Sequence, residues 1–176
     1  MADGKYARVE RERRFLLAGE PDRRAVTATR RLTDRYLTGT RLRLREMVHL
    51  ETGEAVYKLT QKLPGDQPDW GLTTTCYLSP AEYRVFATLP GAVLAKTRYS
   101  VPPLGIDVFD APLAPLVLAE AEFDSEAEAR AFRPPAGAIA EVTADPRFTG
   151  GRLVTVEPGE LRGWLAEYGL QLAVLQ

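Results

Sequence analysis

Cysteine, histidine and lysine are scarce in this 176-residue chain, and long apolar runs are missing. The single cysteine, Cys76, excludes an intramolecular disulfide; it reads as a buried strand thiol in a reducing compartment, so a cytoplasmic protein is expected. The lone histidine, His49, is expected in a turn. No stretch approaches the roughly 18 apolar residues of a membrane span, and the polar start MADGKYARVE is unlike a signal peptide, so no membrane partner is expected. A formal net charge of −1 removes any global basic field, which argues against a nucleic acid duplex as partner. Anion affinity must then come from local clustering. Lysine is confined to Lys5, Lys58, Lys62 and Lys96 among 23 basic residues; the rest are arginine.

Charge is present in an unusual pattern. Glu10, Glu12 and Arg14; Arg41, Arg43 and Arg45; Lys58, Thr60 and Lys62; and Glu120 and Glu122 each occupy alternate positions. Successive strand side chains point to opposite faces, so each set shares one side of its strand. Residues between them are often apolar: Leu42, Leu44, Leu59, Ala121 and Phe123. The apolar side is expected to face outward beneath helices, and the charged side inward. Moving one ion into a dry interior costs several kcal/mol, against a domain stability of about 5–15 kcal/mol, so a dry charged core is excluded. A barrel of about eight tilted strands has an interior just wide enough for side chains or one small ligand. A hydrated tunnel carrying both signs of charge meets these constraints.

With 45% hydrophobic and 27% charged residues the chain suits one domain over 1–176, with tunnel strands over about 6–123 and a C-terminal helical segment over about 124–176. Alternation predicts strands over Tyr6–Leu17, Leu32–Leu37, Thr40–Val48, Ala55–Leu63, Trp70–Leu78, Val93–Val101, Gly105–Phe109 and Leu116–Phe123. The expected fold is mainly β, an eight-stranded antiparallel β-barrel tunnel with a few helices packed outside. Ser79-Pro80-Ala81-Glu82 supplies an N-cap, a first-turn proline and a capping-box acid, predicting a helix to about Leu89. A short helix is expected over Ser125–Phe132. A last one over Glu157–Gly169 carries Leu161, Trp164, Leu165 and Tyr168 at helical spacing, a packing stripe or alternatively a homodimer contact.

Glu10-Arg11-Glu12-Arg13-Arg14 resembles the ExExK signature of the CYTH superfamily, also called triphosphate tunnel metalloenzymes. Arg35-Tyr36-Leu37, Leu42-Arg43-Leu44-Arg45, Leu59-Thr60-Gln61-Lys62, Lys96-Thr97-Arg98, Ile106-Asp107-Val108-Phe109, Ala119-Glu120-Ala121-Glu122-Phe123 and Glu141-Val142-Thr143 with Asp145 and Arg147 follow in the family's order. The resemblance implies an antiparallel tunnel that binds a triphosphate and a divalent cation. Members hydrolyse inorganic, thiamine or RNA 5′-triphosphate, or cyclise ATP.

Magnesium or manganese takes hard oxygen ligands, one or two of them carboxylates beside phosphate oxygens. Glu10, Glu12 and Glu122 are the candidate ligands, with Glu120 a substitute. Arg43, Arg45, Lys62, Lys96 and Arg98 are expected to clamp the phosphates, with Arg41 and Lys58 extending the clamp toward a mouth. Glu120 or Glu122 would orient the attacking water, with Asp107 a further candidate. Arg14 joins the catalytic set because the resemblance gives its position a role, alongside Tyr36, in choosing among polyphosphates. Glu141 is expected to fix the C-terminal segment through Arg147 or a tunnel arginine. The chain departs from the family at Arg14, where the signature has lysine, and at Thr73, Thr75 and Gly105, where members often carry acids; a second metal is therefore not expected. Three functions follow: a metal-dependent triphosphatase, a class IV-type adenylate cyclase, and a noncatalytic polyphosphate or nucleotide binder.

Overall fold

The computed structural model describes residues 5–170. The outermost part of the expected C-terminal segment, 171–176, lies outside the described residues, as do residues 1–4. The elements are β1 (Arg8–Leu17), β2 (Ala28–Leu37), β3 (Leu42–His49), β4 (Ala55–Pro64), β5 (Trp70–Leu78), α1 (Pro80–Ala87), β6 (Gly91–Val101), β7 (Leu104–Phe109), β8 (Val117–Glu122), α2 (Glu126–Ala131), β9 (Ala138–Glu141), α3 (Gly150–Leu153) and α4 (Pro158–Glu167). All pairings are antiparallel, in the order β5-β4-β3-β2-β6-β7-β8-β1-β9, and β5 returns to β1 to close an eight-stranded barrel. The first half of β1 pairs with β5 through Arg8↔Thr73 and Glu10↔Gly71, while Glu12↔Glu122 and Arg14↔Glu120 align it with β8.

Turn chemistry sets the register locally. Gly39 and Gly53, at φ of 72° and 73°, occupy the turns after β2 and β3, where a side chain would be strained. Ser79 and Glu82 form the expected capping box of α1.

The apolar residues form two layers. Phe15, Leu17, Tyr99, Ile106, Val117 and Ala119 pack outside the barrel beneath Val26 and Phe132. Leu16, Leu94, Phe109 and Leu118 occupy alternate positions with the inward charges, yet belong to a second cluster with Phe148, Leu153, Val156, Leu161, Trp164 and Leu165. The C-terminal segment thus lies across one end of the barrel as an apolar floor, a closure that alternation along the strands does not reveal. Of its stripe, Leu161, Trp164 and Leu165 are buried within the chain and Tyr168 is half-buried against them.

Other expectations change. Strand β2 begins at Ala28 rather than Leu32, and β9 interrupts a segment expected to be helical. Cys76 is exposed on β5 rather than buried, in a stretch where Thr75 and Tyr77 are exposed as well. His49 ends β3 and lines the cavity instead of occupying a turn. Among the described residues no helix is long and apolar enough to cross a membrane.

Leu161 is 2% exposed within the floor. Leu161→Ala is expected to destabilise the protein by about 2–5 kcal/mol, read from the urea midpoint at unchanged slope.

Candidate active site

The barrel opens opposite its floor into a cavity of about 910 Å³ whose walls carry Arg43, Arg45, Lys58, Lys62, Arg98, Glu10 and Glu122, joined by Arg30 and Thr60. Strand parity puts them there. Arg43 and Arg45 are two apart on β3; Lys58, Thr60 and Lys62 alternate on β4; Thr73, Thr75 and Tyr77 alternate on β5. Arg41 precedes β3, is exposed and does not line the cavity, since the tight turn at Gly39 carries the chain out of the barrel there.

Two buried carboxylates hold the arginines in place. Asp34 accepts Arg45 Nε and Nη2 at 2.6 and 2.7 Å, and lies 3.9 Å from Arg43 Nε. Asp107 accepts Arg98 Nε and Nη2 at 2.6 and 2.7 Å and also pairs with Lys96. Burial pushes the Asp34 carboxyl up, but the Arg45 fork more than offsets this and brings it down to about 2. Arg43 is left with its buried ε N–H unpartnered. Lys58 has no ion pair among the described residues and rests over the Tyr77 ring, 5.0 Å from its centroid.

On the opposite wall the acids crowd one another. Glu12 and Glu122 are register partners across β1 and β8, with Glu122 exposed at the end of its strand. Burial raises the Glu12 carboxyl above its usual range, and the charges of Glu120 and Glu10 add to this, against opposition from Lys62 and Arg14. Glu10 accepts the Thr73 hydroxyl at 2.8 Å and pairs with Lys62 at 2.6 Å. Burial of Glu10 is outweighed by the Lys62 ammonium, so this carboxyl sits below its ordinary value. Glu120 binds Arg98, and despite burial the Arg98 and Lys96 charges hold it ionised.

Among the described residues no three of His, Cys, Asp and Glu converge into a preformed metal cage. The donor set nevertheless fits a hard divalent cation, which typically binds through one or two carboxylates and completes its shell with water and phosphate oxygens. Opposed Glu12 and Glu122 supply such a pair.

The Arg14 guanidinium is turned toward the floor. Its Nη1 donates to the Phe148 carbonyl at 3.0 Å and Nη2 to the Thr143 carbonyl at 3.2 Å, both in the floor. Its reach toward the cavity stops at Glu12, 3.7 Å from Nε. Tyr36 stands between the floor and Arg43: a Cβ on Gly150 would lie 1.9 Å from its hydroxyl, so a side chain there would displace the phenol. Burial and nearby Asp34 push the Tyr36 phenol up to about 12, keeping it neutral. Glu141 pairs with Arg13 at 2.6 Å, whereas Arg147 pairs with Asp145 and Glu167.

The acid-poor positions have structural substitutes. The Thr73 hydroxyl bonds Glu10, and Thr75 meets Thr60 at 3.1 Å. At Gly105 a Cβ would come within 3.4 Å of Arg98 Cδ and Nε, so the glycine leaves room for the guanidinium to cross toward Glu120. Asp34 and Arg30 are tunnel residues that the sequence reading missed. Both lie on one parity of β2 with Tyr36; starting the strand at Leu32 leaves out Arg30, whereas the parity of Asp34 was already present within the expected strand.

No family model matches the chain. Over 162 residues it is 35% identical to the inorganic triphosphatase of Nitrosomonas europaea, spanning 85% of this chain and 99% of that protein. The chain belongs to the CYTH, or triphosphate tunnel metalloenzyme, family. Membership implies a divalent metal. The crystal structure of the inorganic triphosphatase NE1496 superposes with a TM-score of 0.55 at 28% identity, covering 85% of this chain and 97% of that one. The PH1819 protein from Pyrococcus horikoshii shares the fold at a TM-score of 0.52 and 16% identity, over 92% of this chain and 91% of its own.

Asp34→Asn leaves Arg45 without its counter-ion and is expected to cost about 3–5 kcal/mol at pH 7. The native contribution is present above the unfolded carboxylate value of 3.8 and is lost as pH falls toward about 2. Denaturation of wild type and variant should therefore converge across that window. Glu12 has the opposite sign: its raised value means that stability is lost as pH rises through it. Glu12→Gln is expected to make the protein more stable than wild type at pH 7 in chelator, and no more stable below pH 4.

Proposed function

We propose that this chain hydrolyses inorganic triphosphate in its tunnel with magnesium or manganese. The observation that carries the reading is Arg43, a half-buried side chain on the wall of a cation-lined cavity whose buried ε N–H has no partner. An anion with several oxygens supplies the missing acceptors. The 35% identity to an enzyme named inorganic triphosphatase supports the same substrate.

In this reading Arg43, Arg45, Lys62, Lys96 and Arg98 position the phosphates and neutralise charge that develops on the leaving pyrophosphate, which is most of what phosphoryl transfer asks of a protein. Glu12 and Glu122 hold the cation, which when bound polarises phosphate oxygens. Phosphate draws Lys62 away from Glu10 and frees that carboxylate as a further oxygen donor. Glu122 orients the attacking water at the terminal phosphorus, since Glu120 is already held by Arg98. Arg14 takes no part in contacting phosphate, and Lys58 serves the mouth.

Purified protein with tripolyphosphate and Mg²⁺ or Mn²⁺ is expected to release orthophosphate and pyrophosphate, and to stop in chelator. Arg43→Ala and Glu12→Gln should each lower kcat/KM by about 100-fold or more, as expected when a transition-state contact is lost. Cyclic AMP from ATP would favour the cyclase, tight binding without turnover the noncatalytic binder, and full activity in both variants would remove the site.

A further inference from the structure

We propose, given the triphosphatase reading, that Arg14 is a positioning residue that fastens the C-terminal floor to the tunnel and braces Glu12, without touching phosphate. Its polar atoms face the C-terminal segment almost entirely. The backbone N–H donates to Thr143 Oγ1 at 3.0 Å, and the backbone carbonyl accepts the Val142 N–H at 2.8 Å. The guanidinium adds the carbonyls of Thr143 and Phe148. Phe148 ends a short 3₁₀ turn, Pro146–Phe148, so its carbonyl is one of the acceptors a helical end leaves open, and a cation suits it. The side chain is 7% exposed.

The remaining ε N–H has no hydrogen-bond partner and lies 3.7 Å from Glu12 Oε1, too far for a hydrogen bond but close enough for attraction. One planar group therefore spans the floor and the acidic wall. Arginine suits that span because its donors diverge in a fixed fork, whereas an ammonium is a single point of charge. Loosening the floor admits water to the closed end and lets Glu12 drift, which slows the chemical step while leaving the phosphate clamp of Arg43, Arg45 and Lys62 intact.

The test is steady-state kinetics with tripolyphosphate and Mn²⁺ on Arg14→Gln and Arg14→Lys, alongside amide hydrogen exchange of the same proteins without substrate. For Arg14→Gln, kcat is expected to fall about 10- to 100-fold with KM within about threefold of wild type. Exchange at Val142, Asp145 and Phe148 should quicken by about tenfold or more, with the strands of the clamp unchanged. Arg14→Lys should recover part of kcat and part of the protection. A rise of tenfold or more in KM with unaltered exchange would make Arg14 a phosphate contact and overturn the proposal. Should Arg14→Gln fail to fold, Thr143→Val removes the hydroxyl acceptor beneath Arg14 and leaves its guanidinium in place. Faster floor exchange with reduced kcat supports the coupling, and faster exchange with unchanged kcat overturns it. The exchange result does not require turnover, so an inactive wild type would count against the triphosphatase reading while leaving the floor contact independently measurable.

Discussion

Charge balance inside a narrow barrel is the constraint on which this structure depends. Asp34 and Asp107 are both fully buried, and each meets more than one cation: Arg45 and Arg43 for the first, Arg98 and Lys96 for the second. Without them the wall arginines would repel one another in a space where burial already disfavours charge. With them the guanidiniums are fixed in orientation before any ligand arrives. Such preorganisation is what electrostatic catalysis requires, because donors already in place need no rearrangement when charge develops.

Neutralisation is incomplete on both sides. Arg43 retains an unsatisfied buried donor, while Glu12 is opposed by the charges of Glu120 and Glu10. On the cationic wall Arg43 Nε lacks an acceptor, and on the acidic wall Lys62 and Arg14 offset the glutamates only in part. In the proposed function a metal-complexed polyphosphate would complement both at once, its oxygens meeting Arg43 and its metal the glutamates. Local destabilisation of this kind is common at sites that stabilise a ligand or transition state.

The floor gives the tunnel a direction. Leu16, Leu94, Phe109 and Leu118 end the hydrated interior, and Phe148, Trp164 and Leu165 cover them. Tyr36 and Arg14 stand at the boundary, beside Gly150, Thr143 and Phe148. Lys58, Tyr77 and His49 line the cavity on the side away from that floor.

The barrel was legible in the sequence because a period of two persists through Arg43 and Arg45, Lys58 to Lys62, and Glu120 and Glu122, and only a wet interior accommodates that pattern. The turns at Gly39 and Gly53 and the capping box at Ser79 were equally local and equally legible. Arg30 escaped because the start of β2 lies among residues of mixed propensity, and β9 because four residues rich in alanine carry little periodicity. Parity named the inward residues, but could not tell Arg41 from Arg43, since one lies just outside the strand.

By itself the sequence determined the alternating inward charge, the hairpin turns and the kinds of group that would line a tunnel, because backbone geometry imposes those properties over a few neighbouring residues. Tertiary structure alone decided which charges pair, which stay unsatisfied and which end is closed. Asp34 meets Arg45 across a strand pair, Arg98 reaches Glu120 over Gly105, and Arg14 meets Phe148 from 134 positions away. Contacts at that separation depend on barrel closure and on the path of the C-terminal segment, which no local pattern of residues encodes.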